Sequence, residues 1–190
     1  VIDRFGTGDV ATVIAGIDWV MAQAGDLKLV NMSLTRMVTE DPAPLDMAVN
    51  ALIDSGAIVV VAAGNSAADA LDFTPARVAR AITVGSSKGA ALSDFSNAGT
   101  GVDLYAPGEA VISASIRDIC GVQEMSGTSM AAPFVTGLIA DMLSAGTPRE
   151  EIEENLRTNA TRVSTGAFAG ETERYTLEPR PDLAALACLD

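Results

Sequence analysis

The seven residues Ala57 to Ala63, AIVVVAA, are apolar on both of the sets that alternate along a strand. A strand with one wet face alternates, so a run without alternation must be covered on both sides. Parallel strands sandwiched between helices meet that demand.

The covering helices are legible on either side of the run. Positions 10, 13, 14, 17, 20 and 21 are apolar, which predicts a helix from Val10 to Ala24 with one buried stripe, closed by Gly25. Leu45, Ala48, Val49, Leu52 and Ile53 form a second stripe after a loop marked by Pro42 and Pro44, closed by Gly56. A third helix follows SGTSMAAPFVTG and runs to about Ser144. A fourth is expected in TPREEIEENLRTNAT, with Thr147 as N-cap, Pro148 at the first helical position and Glu150 completing a capping box. LKLVNMSL, RAITVGSS, VDLYAPG and AVISAS read as further strands. Strands alternating with helices give an α/β fold, a doubly wound, mostly parallel sheet with helices on both faces. Sites in such sheets gather at the C-terminal ends of the strands.

At 190 residues, 48% of them hydrophobic and 19% charged, the chain suits one well-buried domain, residues 1–190. A net charge of -13 disfavours nucleic acid and anionic membranes as partners, because both require a basic surface. No stretch is long and apolar enough to span a bilayer. The opening VIDRFGTGDV lacks the basic and apolar regions of a signal peptide, and the chain reads as though it starts partway through something larger. Cys120 and Cys188 could bridge, pair with another chain or remain buried thiols. With no histidine in the sequence, Cys and His do not reach zinc-ligand spacing.

Two residues stand out as chemistry. Ser129 sits among small residues (Gly127, Ala131, Ala132) at the expected start of the third helix, with Pro133 close behind. There the helix dipole and free N–H groups favour negative charge developing nearby. A serine in that place also serves as a plain helix cap, and GTS alone would favour that role. Asn65 follows the apolar strand directly. It is a turn residue by type, and a side-chain amide there can also donate to an oxyanion.

GTSMAAPFVTG, VVVAAGNSAADA, VNMSL and LSDFSNAGTGVDLYAPG together resemble a subtilisin-like serine peptidase, closest to the proteinase-K-like branch. The match runs in order over about residues 1–145 and is weak after 160. The resemblance implies an endopeptidase with Ser129 as nucleophile, and with Asn65 and the Ser129 N–H as the oxyanion hole. It implies that Ser33 and Leu34 pair with the substrate backbone as an added strand, and that Ala62, Ala63 and Gly64 wall the pocket before the scissile bond. It implies secretion, no cofactor for the chemistry, and a structural calcium held by Asp103 with the carbonyls of Ala79 and Ala81. By type alone, Asp103 is equally a solvated turn residue.

In that family the triad runs Asp, His, Ser along the chain, both partners lying upstream of the stretch that VIDRFGTGD resembles. The resemblance therefore implies an N-terminal fragment of the same precursor carrying Asp and His, and little activity from this chain alone. Asp3, Asp9 and Asp18 match no triad motif. An α/β-hydrolase would place its histidine after the serine, where the chain has none. Phe134, where relatives often carry histidine, reads as packing. Thr35 and Arg36 stand where relatives usually have glycine, which narrows the expected cleft. The rival readings are a non-catalytic pseudopeptidase or peptide-binding module on the same fold, and a flavodoxin-like binding domain. The glycine-rich turns match peptidase motifs rather than phosphate loops.

Overall fold

The computed structural model describes residues 1, 8–23, 25, 28–39, 43–115, 121–163 and 174–176, with side chains described up to residue 160. Cys120 and Cys188, and with them the question of their pairing, lie outside the described residues.

The elements run α1 (Val10–Ala22), β1 (Lys28–Met32), β2 (Arg36–Met37), α2 (Pro44–Asp54), β3 (Ala57–Ala62), β4 (Phe73–Thr74), β5 (Ile82–Lys88), β6 (Ala91–Leu92) and β7 (Leu104–Pro107). They continue with β8 (Val111–Ala114), β9 (Val122–Met125), α3 (Thr128–Ser144), α4 (Ile152–Thr158), β10 (Thr161–Val163) and β11 (Arg174–Thr176). The main sheet has the order β1-β3-β5-β7-β11-β10, with β6 paired beside β5. β1, β3, β5, β7 and β11 are mutually parallel, and β10 and β6 add antiparallel edges.

All six residues of β3 are buried, as the unbroken apolar run requires. Its alternation is divided between two cores. Ile58, Val60 and Ala62 pack under Ala131, Val135 and Ile139 of α3 and Ile152 and Leu156 of α4. Ala57, Val59 and Val61 pack on the other face, against Val13 and Ile17 of α1 and Val49 and Leu52 of α2. Each fully buried aliphatic side chain contributes on the order of 1.5–3 kcal/mol of transfer free energy, so this one strand anchors both layers.

Helix ends follow local chemistry. Asp9 caps α1, its carboxylate accepting from the Thr12 N–H at 2.7 Å. That hydrogen bond holds its pKa below the ordinary carboxylate value. The helix stops at Ala22, two residues before the expected end. Gly56, at φ +99°, closes α2 by donating to Ile53 O at 2.9 Å.

The capping box expected at Thr147 is not formed. Gly146, at φ +86°, turns left-handed after α3, its N–H reaching Leu143 O while the Thr147 N–H reaches Met142 O, both at 3.0 Å. This double closure ties Thr147 to the helix behind it rather than the one ahead. A 3-10 turn over Arg149–Glu151 then leads into α4 with no side-chain cap.

AVISAS does form a strand, but off the main sheet. β8 pairs antiparallel with β9, which the sequence pattern did not mark, in a separate hairpin that leaves Ile112 exposed.

Candidate active site

The C-terminal ends of β1 and β3 meet the start of α3. β1 leads directly into Ser33 and Leu34, and β3 leads into Ala63, Gly64 and Asn65. Ser129 is the second residue of α3, so its N–H lies in the first turn, where helical N–H groups have no intrahelical acceptor. Gly127 precedes the helix at φ +156°, a backbone that favours glycine, and donates to Gly108 O at 2.8 Å.

Asn65 is oriented by its neighbours. Its Oδ1 accepts from the Thr128 N–H at 2.9 Å and the Thr128 hydroxyl at 3.0 Å. The same hydroxyl accepts from the Gly64 N–H at 3.1 Å. With the carbonyl end occupied by the helix start, the Nδ2 end is left to donate. It lies beside Gly127, 3.4 Å from where a Cβ would stand. Asn65 thus caps α3 from outside the helix and presents an amide donor next to the Ser129 turn.

The loop that carries Asn65 is shaped by a residue that motif reading passed over. Asn97, fully buried, accepts from the Ser66 and Ala68 N–H groups at 2.9 and 3.2 Å and donates to Ala63 O at 2.9 Å. Gly64, at φ +108°, must be glycine here, because a Cβ would lie 2.3 Å from Asn97 Nδ2. The one available signal was the asparagine in SNAG, which a turn explains equally well.

Ser129 and Ser33 form a reciprocal pair. The Ser33 hydroxyl donates to Ser129 O at 2.9 Å, and the Ser129 hydroxyl donates to Ser33 O at 3.3 Å. Pro133 explains the first contact. It stands at the sixth position of α3, later than expected, and lacks the N–H that would bond Ser129 O four residues back. Ser33 supplies the missing donor. Asn31 extends the pinning, its Nδ2 reaching Ser33 Oγ at 2.9 Å and its Oδ1 accepting from Thr136 of α3 at 3.1 Å.

Leu34 is partly buried against the α1–α2 core and, with Ser33, borders an apolar cavity of about 460 Å³ that also touches Val13, Ile17, Trp19 and Val30. Trp19 is 66% exposed at its rim. The expected pocket walls Ala62, Ala63 and Gly64 are all buried. Ala62 packs beneath α3, Ala63 packs in the Tyr105 cluster, and Gly64 is buried under Asn97, so the surface beyond them belongs to residues 65–67. Phe134 packs against the α3 core, as read. Arg36 lies exposed on β2 and points to Thr39 Oγ1 at 3.3 Å.

Asp103, Ala79 and Ala81 do converge, around a small cavity at the opposite end of the sheet. Calcium takes about six to eight oxygen ligands at roughly 2.3–2.6 Å. Here Asp103 Oδ2 already accepts the Thr83 N–H at 2.8 Å, and Oδ1 faces the Arg157 guanidinium at 3.9 Å. Among the described residues, no group of three His, Cys, Asp or Glu side chains could hold a metal ion. As folded, the Asp103 carboxylate is engaged by a backbone N–H and faced by a guanidinium, which counts against a divalent ion in the same place.

Comparison with known proteins bears on the family and the fold. The profile of the subtilase family, peptidase S8, matches residues 2–175. The sequence is similar to alkaline serine exoprotease A of Vibrio alginolyticus, 45% identical over 74% of this chain and 26% of that protein. It is also similar to an extracellular serine proteinase of Thermus sp. (strain Rt41A), 43% identical over 74% of this chain and 34% of that protein. The chain therefore spans about a third or less of these curated relatives. The fold matches the crystal structure of a cold adapted subtilisin-like serine proteinase with TM-score 0.81 and 36% identity, covering 96% of this chain and 66% of that one. A serine on the first turn of a helix, an amide donor fixed beside it, and a family profile spanning nearly the whole sequence place this chain in the subtilase family.

Proposed function

We propose that this chain carries the nucleophile and oxyanion hole of a serine endopeptidase, and that the acid and base come from an upstream segment of the same precursor. The observation that carries the reading is the pair of Thr128 hydrogen bonds on Asn65 Oδ1, which leave the Nδ2 donor beside the first turn that holds Ser129.

The Ser129 hydroxyl rests on Ser33 O. A histidine arriving from the added segment takes that proton, and the oxygen attacks a peptide carbonyl. The developing oxyanion is met by Asn65 Nδ2 and the Ser129 N–H. Its collapse breaks the peptide C–N bond, the departing amine takes the proton back from the histidine, and water later releases the acyl group. Ser33 O, vacated by the hydroxyl, becomes free to accept a backbone N–H of a peptide laid along residues 33–35 as an extra strand.

Three features support an added segment. The sequence has no histidine. Among the described residues β1 is the edge of the sheet, with Asn31 exposed. The apolar cavity beside β1 opens around the exposed Trp19. Secretion, carried over from relatives such as the extracellular Thermus proteinase, belongs to the same proposal.

A fluorophosphonate probe tests the reading, applied to the chain alone and after mixing with the upstream segment. Labelling in the mixture that disappears on Ser129→Ala is the expected result. A reconstituted species that stays unlabelled would reject the peptidase reading and leave a pseudopeptidase on the same fold.

A further inference from the structure

The polar cluster at the N-terminal ends of β5 and β7 holds two carboxylates and a guanidinium. Ala79, Ala81, Asp103, Glu153, Leu156 and Arg157 surround a cavity of about 20 Å³, room for about one water. Asp103 is held in place by two bonds to Thr83: its N–H donates to Thr83 O at 2.9 Å, and its Oδ2 accepts the Thr83 N–H at 2.8 Å. From α4, Arg157 Nη2 lies 3.9 Å from Asp103 Oδ1 and 3.9 Å from Glu153 Oε2. Glu153 and Arg157 are four residues apart on one helix face, and Leu156, fully buried, sets that helix's rotation against the sheet.

We infer that Arg157 is the resident cation of this pocket, bridging Asp103 and Glu153 and competing with any divalent ion for the Asp103 carboxylate. The pocket gathers two carboxylates beside the backbone of Ala79 and Ala81, and carboxylate and carbonyl oxygens are the donor types that calcium takes. A guanidinium between the carboxylates offsets one of the two negative charges that would attract such an ion, and a second cation within a few ångströms is repelled by it. The inference concerns occupancy and not stability, because the pair is partly exposed and an exposed ion pair adds little to stability. It is independent of the role given to Ser129.

Thermal unfolding of the complete protein in millimolar calcium and in chelator tests it, with calorimetric calcium titration alongside. The wild type and Asp103→Asn should show the same calcium response. Arg157→Gln should gain a calcium-dependent rise in Tm of about 2–4 °C, and adding Asp103→Asn should remove it. Arg157→Ala provides a second variant with the same expectation, and Arg157→Lys, which keeps the charge, should behave as wild type. The inference is overturned if neither neutral variant gains a calcium response. It is equally overturned if the wild type shows an Asp103-dependent response as large as theirs.

Discussion

β1 and β3 are adjacent parallel strands in strict register, Leu29 beside Ile58 and Val30 beside Val59. β3 is apolar throughout and buried at every position, while β1, which carries Lys28 and Asn31, is mostly half-exposed and ends the sheet among the described residues. The difference is one of neighbours, since β3 has strands on both sides and helices on both faces, whereas among the described residues β1 has a strand on one side only. Each strand then delivers one polar residue to Ser129. Asn65, from β3, has its carbonyl end bonded twice by the helix start, while Ser33, from β1, exchanges single bonds with the serine. The buried strand supplies a fixed group, and the edge strand supplies one that can let go.

The largest effect expected from this contrast lies in the strands themselves. Ile58→Ala should cost about 2–5 kcal/mol in denaturant unfolding, the usual range for emptying a closed aliphatic site. Leu29→Ala, one strand over and only partly buried, should cost clearly less in the chain alone. Its cost should rise toward that of Ile58 once an upstream segment covers the edge. Equal costs in the isolated chain would show that the β1 edge is already covered.

At the strand ends the effects divide between turnover and stability. Asn65→Ala should slow acyl transfer in the reconstituted enzyme by about 10²–10³, a magnitude measured for an oxyanion-hole asparagine of the relative subtilisin and not obtained from this structure. Ser33→Ala should cost about 1 kcal/mol of stability, because Pro133 leaves Ser129 O with no helical donor to replace the lost hydroxyl. If Ser33→Ala proves as damaging to turnover as Asn65→Ala, the edge strand is not the yielding partner.

The smallest effect belongs to Asp9. Its pKa is lowered, chiefly by the Thr12 N–H. Its contribution to α1 is therefore complete above the ordinary carboxylate pKa and is lost as pH falls through the lowered value. Far-UV dichroism should show α1 fraying in that acid window. Asp9→Asn, which still caps, should abolish the pH dependence, and Asp9→Ala should fray the helix at every pH.

Much of the fold was legible because its signals are local. The AIVVVAA run, the helical stripes and the glycine at 56 each act through residues a few positions away. Ser129 and Asn65 were legible for a similar reason, since a serine ahead of small residues and an asparagine ending a buried strand mark their own places. Thr147 misled because its type suits a cap at either helix, and only the left-handed turn at Gly146 decided which one it served. The roles of Asn97, Thr128 and Arg157 were not legible, as each turns on a partner 29 to 64 residues away in the chain, Ala68, Gly64 and Asp103 respectively.

By itself, then, the sequence determined a doubly covered parallel sheet, its helices, and a serine and an asparagine at its C-terminal rim. Only the tertiary structure decided which end of the Asn65 amide faces the serine, what replaces the hydrogen bond that Pro133 removes, and which cation meets Asp103. The physical reason is that periodicity and backbone preference depend on near neighbours along the chain. Hydrogen-bond direction and charge pairing are settled by groups that the parallel crossovers bring together from distant parts of it.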